Sequence, residues 1–277
     1  MTGPSLADEG LLVPDAPVEA GVLESALRSA RDGGRKLLVP YVTGGLGDDW
    51  VDVVRAVADA GADAIEIGIP FSDPVMDGPV IQEASELALR HGATPLTVLD
   101  RLRTVDAGVP LAVMTYYNLV FRMGHERFAS SLAASGVAAA ILPDLPLEEV
   151  GPWASAADAV GVETVMLAAP TASDDRLARV IRRGRGFVYS VGLLGVTGER
   201  DELAASSLVI ARRVKALTDK PVLVGVGVSN AEQAVEVCTV ADGVVIGSAL
   251  MRRVLAGEGP TGAAAFIGGV RAALDAA

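Results

Sequence analysis

A chain of 277 residues with 35 acidic and 23 basic side chains carries a formal net charge of −12 at pH 7. That balance excludes nucleic acid and anionic membrane surfaces as main partners, because neutralising phosphates takes a basic face. Hydrophobic residues make up 51% and aromatics 4%, so the core has to be built from Ala, Val, Leu and Ile, as in parallel strands buried on both faces. The single cysteine, Cys238, rules out an intramolecular disulfide. Its Ala-Val-Glu-Val-Cys setting reads as a helix end, where it acts as a small buried hydrophobe. No apolar run approaches the ~20 residues of a membrane span. Met1 to Glu19 lacks the basic-then-apolar order of a signal peptide, so the expected location is cytoplasmic.

Residues 1–20, rich in Pro, Gly and acid, are expected to form a mobile N-terminal extension, and residues 21–277 a barrel catalytic domain. Val22 to Arg31 reads as a short amphipathic helix with Leu23, Ala26 and Leu27 on one face, suited to plug the bottom of a barrel. Strand and helix then alternate. The apolar runs Leu37–Val42, Ala64–Ile67, Leu111–Met114, Ala138–Leu142, Thr164–Leu167, Phe187–Val191, Val222–Val226 and Gly243–Ile246 read as strands. Trp50–Ala60, Leu147–Val160, Asp175–Arg182, Ala204–Leu217 and Ala231–Val240 read as helices. The gap from Val80 to Gly108 has room for two more, and Gly262–Ala276 closes the chain as another.

Eight apolar strands separated by helices predict an α/β fold, a single-domain (β/α)8 TIM barrel with an N-terminal helix and extra helices. The alternative is a doubly wound sheet, which places a G-x-G-x-x-G turn after its first strand. Gly44-Gly45-Leu46-Gly47 lacks that spacing, and no Pro/Ser-rich linker divides the chain.

The stretch Ala64 to Pro79 is the most informative. It opens as an apolar strand with one carboxylate, Glu66, and runs into a loop holding Asp73 and Asp77 between prolines. An ionised carboxylate in an apolar run is costly unless it is paired or used. A strand-end acid followed by loop acids suits a general acid–base pair. The plainer alternatives are an Asp-Gly turn at Asp77 and a tolerated, partly buried acid at Glu66.

Two late turns add a binding function. Gly225-Val226-Gly227 follows the seventh strand, and Gly247-Ser248 follows the eighth and opens a short helix. Glycines let backbone approach an anion, and a helix N-terminus offers free N–H groups. Barrels hold phosphates at this place, although the same glycines could serve tight turns alone. Gly192 to Glu199 reads as a mobile loop with glycine hinges, able to close over the site.

If the substrate is a phosphorylated sugar derivative cleaved at a carbon–carbon bond, the electrons need a sink. A Schiff-base lysine is one solution, but Lys36, Lys215 and Lys220 begin a strand, lie on a helix and precede a strand. A divalent metal is another, but His91 and His125 stand in helix-end or loop contexts and read as solvated or structural. No metal is expected. A substrate carrying its own sink remains, and an indole ring qualifies. Protonation at C3 gives an indoleninium cation that accepts the breaking bond's electrons. Two carboxylates then suffice.

The Ala64–Pro79 stretch, Ala-Ile-Glu-Ile-Gly-Ile-Pro-Phe-Ser-Asp-Pro-Val-Met-Asp-Gly-Pro, closely resembles the signature of the tryptophan synthase alpha chain family, and the resemblance runs from about Lys36 to the C-terminus. It implies retro-aldol cleavage of indole-3-glycerol phosphate to indole and glyceraldehyde 3-phosphate in L-tryptophan biosynthesis. It implies Glu66 as the acid–base residue, Asp77 as the partner of the indole N–H, and Tyr189 as the active-site tyrosine. It places phosphate on Gly198, Gly227, Gly247 and Ser248, and the substrate pocket on Tyr41, Met114, Tyr116 and Thr197, the last closing over the aspartate. It implies no cofactor on this chain, and a tryptophan synthase beta chain, carrying pyridoxal phosphate (PLP), as partner in an alpha2-beta2 assembly contacted through Pro70 and Asp73.

Three features depart from the family pattern. Ser190-Val191-Gly192-Leu193 stands where many members carry an arginine, Met76 replaces a common alanine, and the N-terminal extension has no obvious counterpart. Other readings stay open: a free-standing indole-3-glycerol phosphate lyase, a non-catalytic phosphate-binding regulator, and another phosphosugar barrel such as an isomerase.

Overall fold

Short, mostly buried apolar segments pair side by side, all parallel, and close into a barrel of eight strands in sequence order. The computed structural model describes residues 19–192, 200–225 and 227–277. The first half runs α1 (Val22–Asp32), β1 (Leu37–Thr43), α2 (Trp50–Asp59), β2 (Ile65–Gly68), α3 (Pro79–Arg90), α4 (Pro95–Leu102), β3 (Leu111–Met114), α5 (Tyr117–Met123), α6 (His125–Ala134) and β4 (Val137–Ile141). The second runs α7 (Gly151–Ala159), β5 (Glu163–Ala168), α8 (Asp174–Arg183), β6 (Val188–Ser190), α9 (Arg200–Lys215), β7 (Val222–Val224), α10 (Ala231–Val237), β8 (Gly243–Ile246), α11 (Ser248–Leu255) and α12 (Gly259–Asp275).

The expected strands all form, and the differences have local causes. Leu147–Val160 divides into a 3-10 turn at Leu147–Glu149 and α7, because Pro152 lacks an N–H and fits only a first helical turn. Pro260 likewise sets the start of α12 at Gly259 rather than Gly262. β7 ends at Val224 instead of Val226. The sequence reading does not anticipate α5 and α6, which are separated by Gly124 in the left-handed region at φ 89°.

Strand alternation divides the core in two. Ile65 and Ile67 belong to the shell between barrel and helices, whereas Leu37, Val39, Ala64, Ala112, Phe187, Tyr189 and Leu223 fill the interior. Leu23 and Leu27 of α1 join the interior set, so α1 plugs the barrel as its pattern predicts. Its first turn is held by Glu163, whose carboxylate accepts the N–H groups of Leu23 at 2.6 Å and Glu24 at 3.1 Å. A Cβ on Gly21 would lie 2.4 Å from that carboxyl carbon, so only glycine lets the chain enter here. Cys238 caps the C-terminal end of α10 and is buried, as its setting suggests. Among the described residues no helix is long and apolar enough to cross a membrane.

Candidate active site

The C-terminal ends of the strands surround a cavity open to solvent at its mouth. Its wall brings together Tyr41 from β1, Glu66 from β2, Asp77 from the following loop, Met114 from β3, Tyr189 from β6, Gly227 after β7, and Gly247 and Ser248 after β8. Those residues come from six strand ends spread over most of the chain, and the sequence reading had singled out each of them.

Glu66 pairs in register with Tyr41 on one side and Ala112 on the other. With Ile65 and Ile67 turned outward, its side chain is forced into the barrel. It is 1% exposed, and its Oε2 has no hydrogen-bond partner among the described residues. Burial, and then the charge of Asp77, push its pKa up to about 8. Asp77 is also raised by burial, but a hydrogen bond from the Tyr116 side chain opposes the rise. Two carboxyls thus share one cavity, and burial raises the pKa of both, that of Glu66 the more.

The loop carrying Asp77 has no regular secondary structure. Gly78 is extended, as a residue before proline tends to be, and Pro79 takes the first turn of α3. The side chain of Gln82 donates to the Asp77 carbonyl at 2.8 Å. Met76, the departure from the common alanine, lines the cavity beside Asp77.

Two tyrosines shape the wall by close approach to glycines. A Cβ on Gly68 would fall 1.8 Å from the Tyr41 hydroxyl, and one on Gly225 would fall 2.0 Å from the Tyr189 ring. Any larger residue at either position would displace a ring. Burial raises both phenols far above their ordinary pKa, so each stays neutral and keeps its proton for donation.

The two helices that follow β7 and β8 differ at their N-termini. Asn230 caps α10, its side chain accepting the Gln233 N–H at 2.9 Å. Gly247, before α11, makes no side-chain cap, so the first N–H groups of α11 are left for a ligand. Gly227, in the left-handed region at φ 80°, has nothing within 4 Å of where a Cβ would sit, leaving its backbone open to the cavity. An anion fits this side.

Other expected positions fall elsewhere. Tyr116 does not line the cavity but sits behind Asp77, its hydroxyl accepting the Met76 N–H at 3.0 Å. Pro70 is buried, whereas Asp73 is exposed and accepts from the Ser72 hydroxyl at 2.5 Å. Thr197 and Gly198, with the Gly195–Gly198 motif, lie outside the described residues. No lysine or histidine is among the cavity's described lining. Lys215 pairs with Asp242 at 2.8 Å, Lys220 donates to the carbonyls of Ile181 and Gly184, and His125 meets the Tyr117 hydroxyl at 2.9 Å. Among the described residues no cluster of three or more His, Cys, Asp or Glu is arranged to hold a metal. The sequence reading missed Ile81, Pro143 and Leu167 in the lining. Leu167 was findable, because it pairs in register with Tyr189 on the neighbouring strand.

The family model described as "Tryptophan synthase alpha chain" matches residues 27–265. The chain is 46% identical over 263 residues to the tryptophan synthase alpha chain of Streptomyces coelicolor, covering 91% of this chain and 93% of that one. A structure of tryptophan synthase from Mycobacterium tuberculosis superposes with a TM-score of 0.85 at 38% identity, covering 92% of this chain and 99% of that one. The alpha subunit from Legionella pneumophila gives a TM-score of 0.82 at 31% identity, covering 94% and 100%. With the family model, the relatives and the solved structures in agreement, the chain belongs to the tryptophan synthase alpha chain family, lyases of tryptophan biosynthesis that need no cofactor of their own.

Proposed function

We propose that this chain cleaves indole-3-glycerol phosphate by a retro-aldol reaction, giving indole and glyceraldehyde 3-phosphate. The observation that carries the reading is Glu66: buried, with an orphaned oxygen, and holding its proton up to about pH 8 beside a second carboxylate. A neutral acid poised in this way can protonate indole C3. Asp77 accepts a hydrogen bond from the ring N–H and stabilises the positive charge that develops there. The Glu66 carboxylate left behind then takes the proton of the side-chain hydroxyl as the carbon–carbon bond breaks. One proton moves from Glu66 to carbon and one returns from oxygen, so the residue ends as it began. Tyr41, Met114 and Tyr189 enclose the ring system. Gly227, Gly247 and Ser248 bind the phosphate through backbone N–H groups, which explains how so acidic a chain holds an anionic substrate.

In this reading Gly198 adds to the phosphate site and Thr197 closes over Asp77. Residues 21–277 act as the catalytic domain and residues 1–20 as an extension. The partner is a PLP-bearing beta chain in an alpha2-beta2 assembly, docked over the strand ends by way of Pro70 and Asp73, and the reaction belongs to the cytoplasm. The resemblance and the likeness to solved tryptophan synthases support this assignment. Coupling between such sites amounts to ~1–3 kcal/mol, so indole formation should be slow for the isolated chain and roughly 5- to 150-fold faster with a matching beta chain. Measuring indole release from indole-3-glycerol phosphate with and without that chain tests both parts. No indole in either arm refutes the reaction. Full activity alone, indifferent to a beta chain, points instead to a free-standing lyase.

A further inference from the structure

The active-site cavity has a neighbour. A second cavity lies between the loop after β4 and the loop after β5, walled by Leu145, Leu147, Val165, Met166, Ala169 and Pro170. Its loops are held from outside: Arg176 donates to Glu148 at 2.9 Å, and Arg213 donates to the carbonyls of Pro170 at 3.1 Å and Ala172 at 2.8 Å. Met76, Pro143, Leu167 and Val191 line both cavities and so form the partition between them. Pro143 is a rigid ring, Leu167 lies in β5, and the Val191 N–H donates to the Ala168 carbonyl at 3.1 Å. Met76 is the movable member. Its main chain is pinned, since its N–H donates to the Tyr116 hydroxyl at 3.0 Å. Its side chain has three rotatable bonds and adapts to what lies against it.

The order of the strands decides which part of a substrate reaches the partition. With phosphate after β7 and β8, the opposite strands in a closed ring of eight are β3 and β4. An indole ring joined to that phosphate through C3 therefore extends toward Met114, Pro143 and Leu167, with C5 and C6, the atoms farthest from C3, foremost. We propose that the second cavity is a subsite for substituents on this edge of the ring, and that Met76 is the specificity-determining residue that closes it to plain indole. The inference rests on the reading of the substrate as indole-3-glycerol phosphate. The charged side chains in the lining are already engaged, Arg176 with Glu148 and Asp144 with the Tyr117 N–H. The subsite thus suits an apolar group, a methyl or a halogen.

The probe is 5-bromoindole, condensed with glyceraldehyde 3-phosphate in the reverse of the cleavage. The carbon–carbon bond forms at C3, and the proton displaced there ends on the new hydroxyl. A single methylene of fit in an apolar pocket is worth about tenfold or more in kcat/KM. Met76→Ala should raise the ratio of kcat/KM for 5-bromoindole to that for indole by at least about that factor. Ala169 lines only the second cavity. Adding Ala169→Leu to Met76→Ala should cancel the gain and leave the rate with indole unchanged. In crystals of the parent chain soaked with 5-bromoindole, anomalous scattering should place the bromine beyond Met76, in the second cavity. A ratio unmoved by Met76→Ala overturns the proposal, as does bromine found on the near side of Met76. Failure of the parent chain to condense indole refutes the reaction instead, and the bromine position still decides the subsite.

Discussion

Two glutamates are buried at opposite ends of one barrel, Glu163 at 0% exposure and Glu66 at 1%. Glu163 opens β5 at the lower end, and both its oxygens accept N–H groups from the first turn of α1, where the helix dipole also favours an anion. Burial raises its pKa, while those N–H groups and the charge of Arg185 pull it back. Glu66 faces the cavity at the other end with one oxygen unmatched among the described residues. Burial alone therefore does not separate a working acid from a structural one. What separates them is whether the protein itself satisfies the carboxyl's hydrogen bonds, because a buried lone pair without a partner is costly and is kept where something else arrives to use it.

Substitution at each end can break the comparison. The largest effect is expected from Glu66→Gln, which keeps the volume and removes the transferable proton. Indole formation should fall by ~10²–10⁴-fold with the thermal unfolding midpoint preserved or raised. A variant with near-normal turnover would show that the orphaned acid is no more functional than its counterpart.

Glu163→Ala should do the reverse. It strips the cap from α1 and leaves two buried N–H groups unmatched, costing about 1–3 kcal/mol in denaturant unfolding. Indole formation per folded molecule should stay close to that of the parent chain. A selective loss of turnover without loss of stability would place Glu163 in the chemistry after all.

A third measurement sharpens the contrast through pH. Glu66 holds its proton up to about pH 8 in the folded chain, against an ordinary 4.5, so the folded state binds a proton that the unfolded state has released between those values. The stability gained in this way is complete below about 4.5 and is lost as pH rises through about 8. Unfolding free energies measured across that window should decline with pH in the parent chain and decline less in Glu66→Gln. Equal slopes would mean that Glu66 is ionised in the folded protein.

The two ends also differ in how legible they are in the sequence. Glu66 stands out because it interrupts an apolar run and opens a motif of sixteen consecutive residues, Ala64 to Pro79. Glu163 looks like an ordinary polar residue before a strand, since its partners at Leu23 lie 140 residues earlier in the chain. α5 and α6 escape notice for a related reason. The resemblance marks Met114 and Tyr116 as pocket residues, and only the fold shows a helix beginning at Tyr117, whose N–H donates to Asp144 at 2.8 Å.

The sequence alone determined the eight strands, because short apolar runs buried on both faces have a recognisable length and composition. It also marked Glu66, Asp77 and the late glycine turns, because each is a local conflict between residue type and surroundings. The tertiary structure decided the rest: that Tyr41 and Tyr189 press against Gly68 and Gly225, that Tyr116 stands behind Asp77 rather than in the cavity wall, and that α1 supplies the donors Glu163 needs. Those facts concern which polar groups are satisfied and which rings find room. Hydrogen-bond partners and close contacts are set by segments far apart in the chain, so they exist only once the barrel has closed.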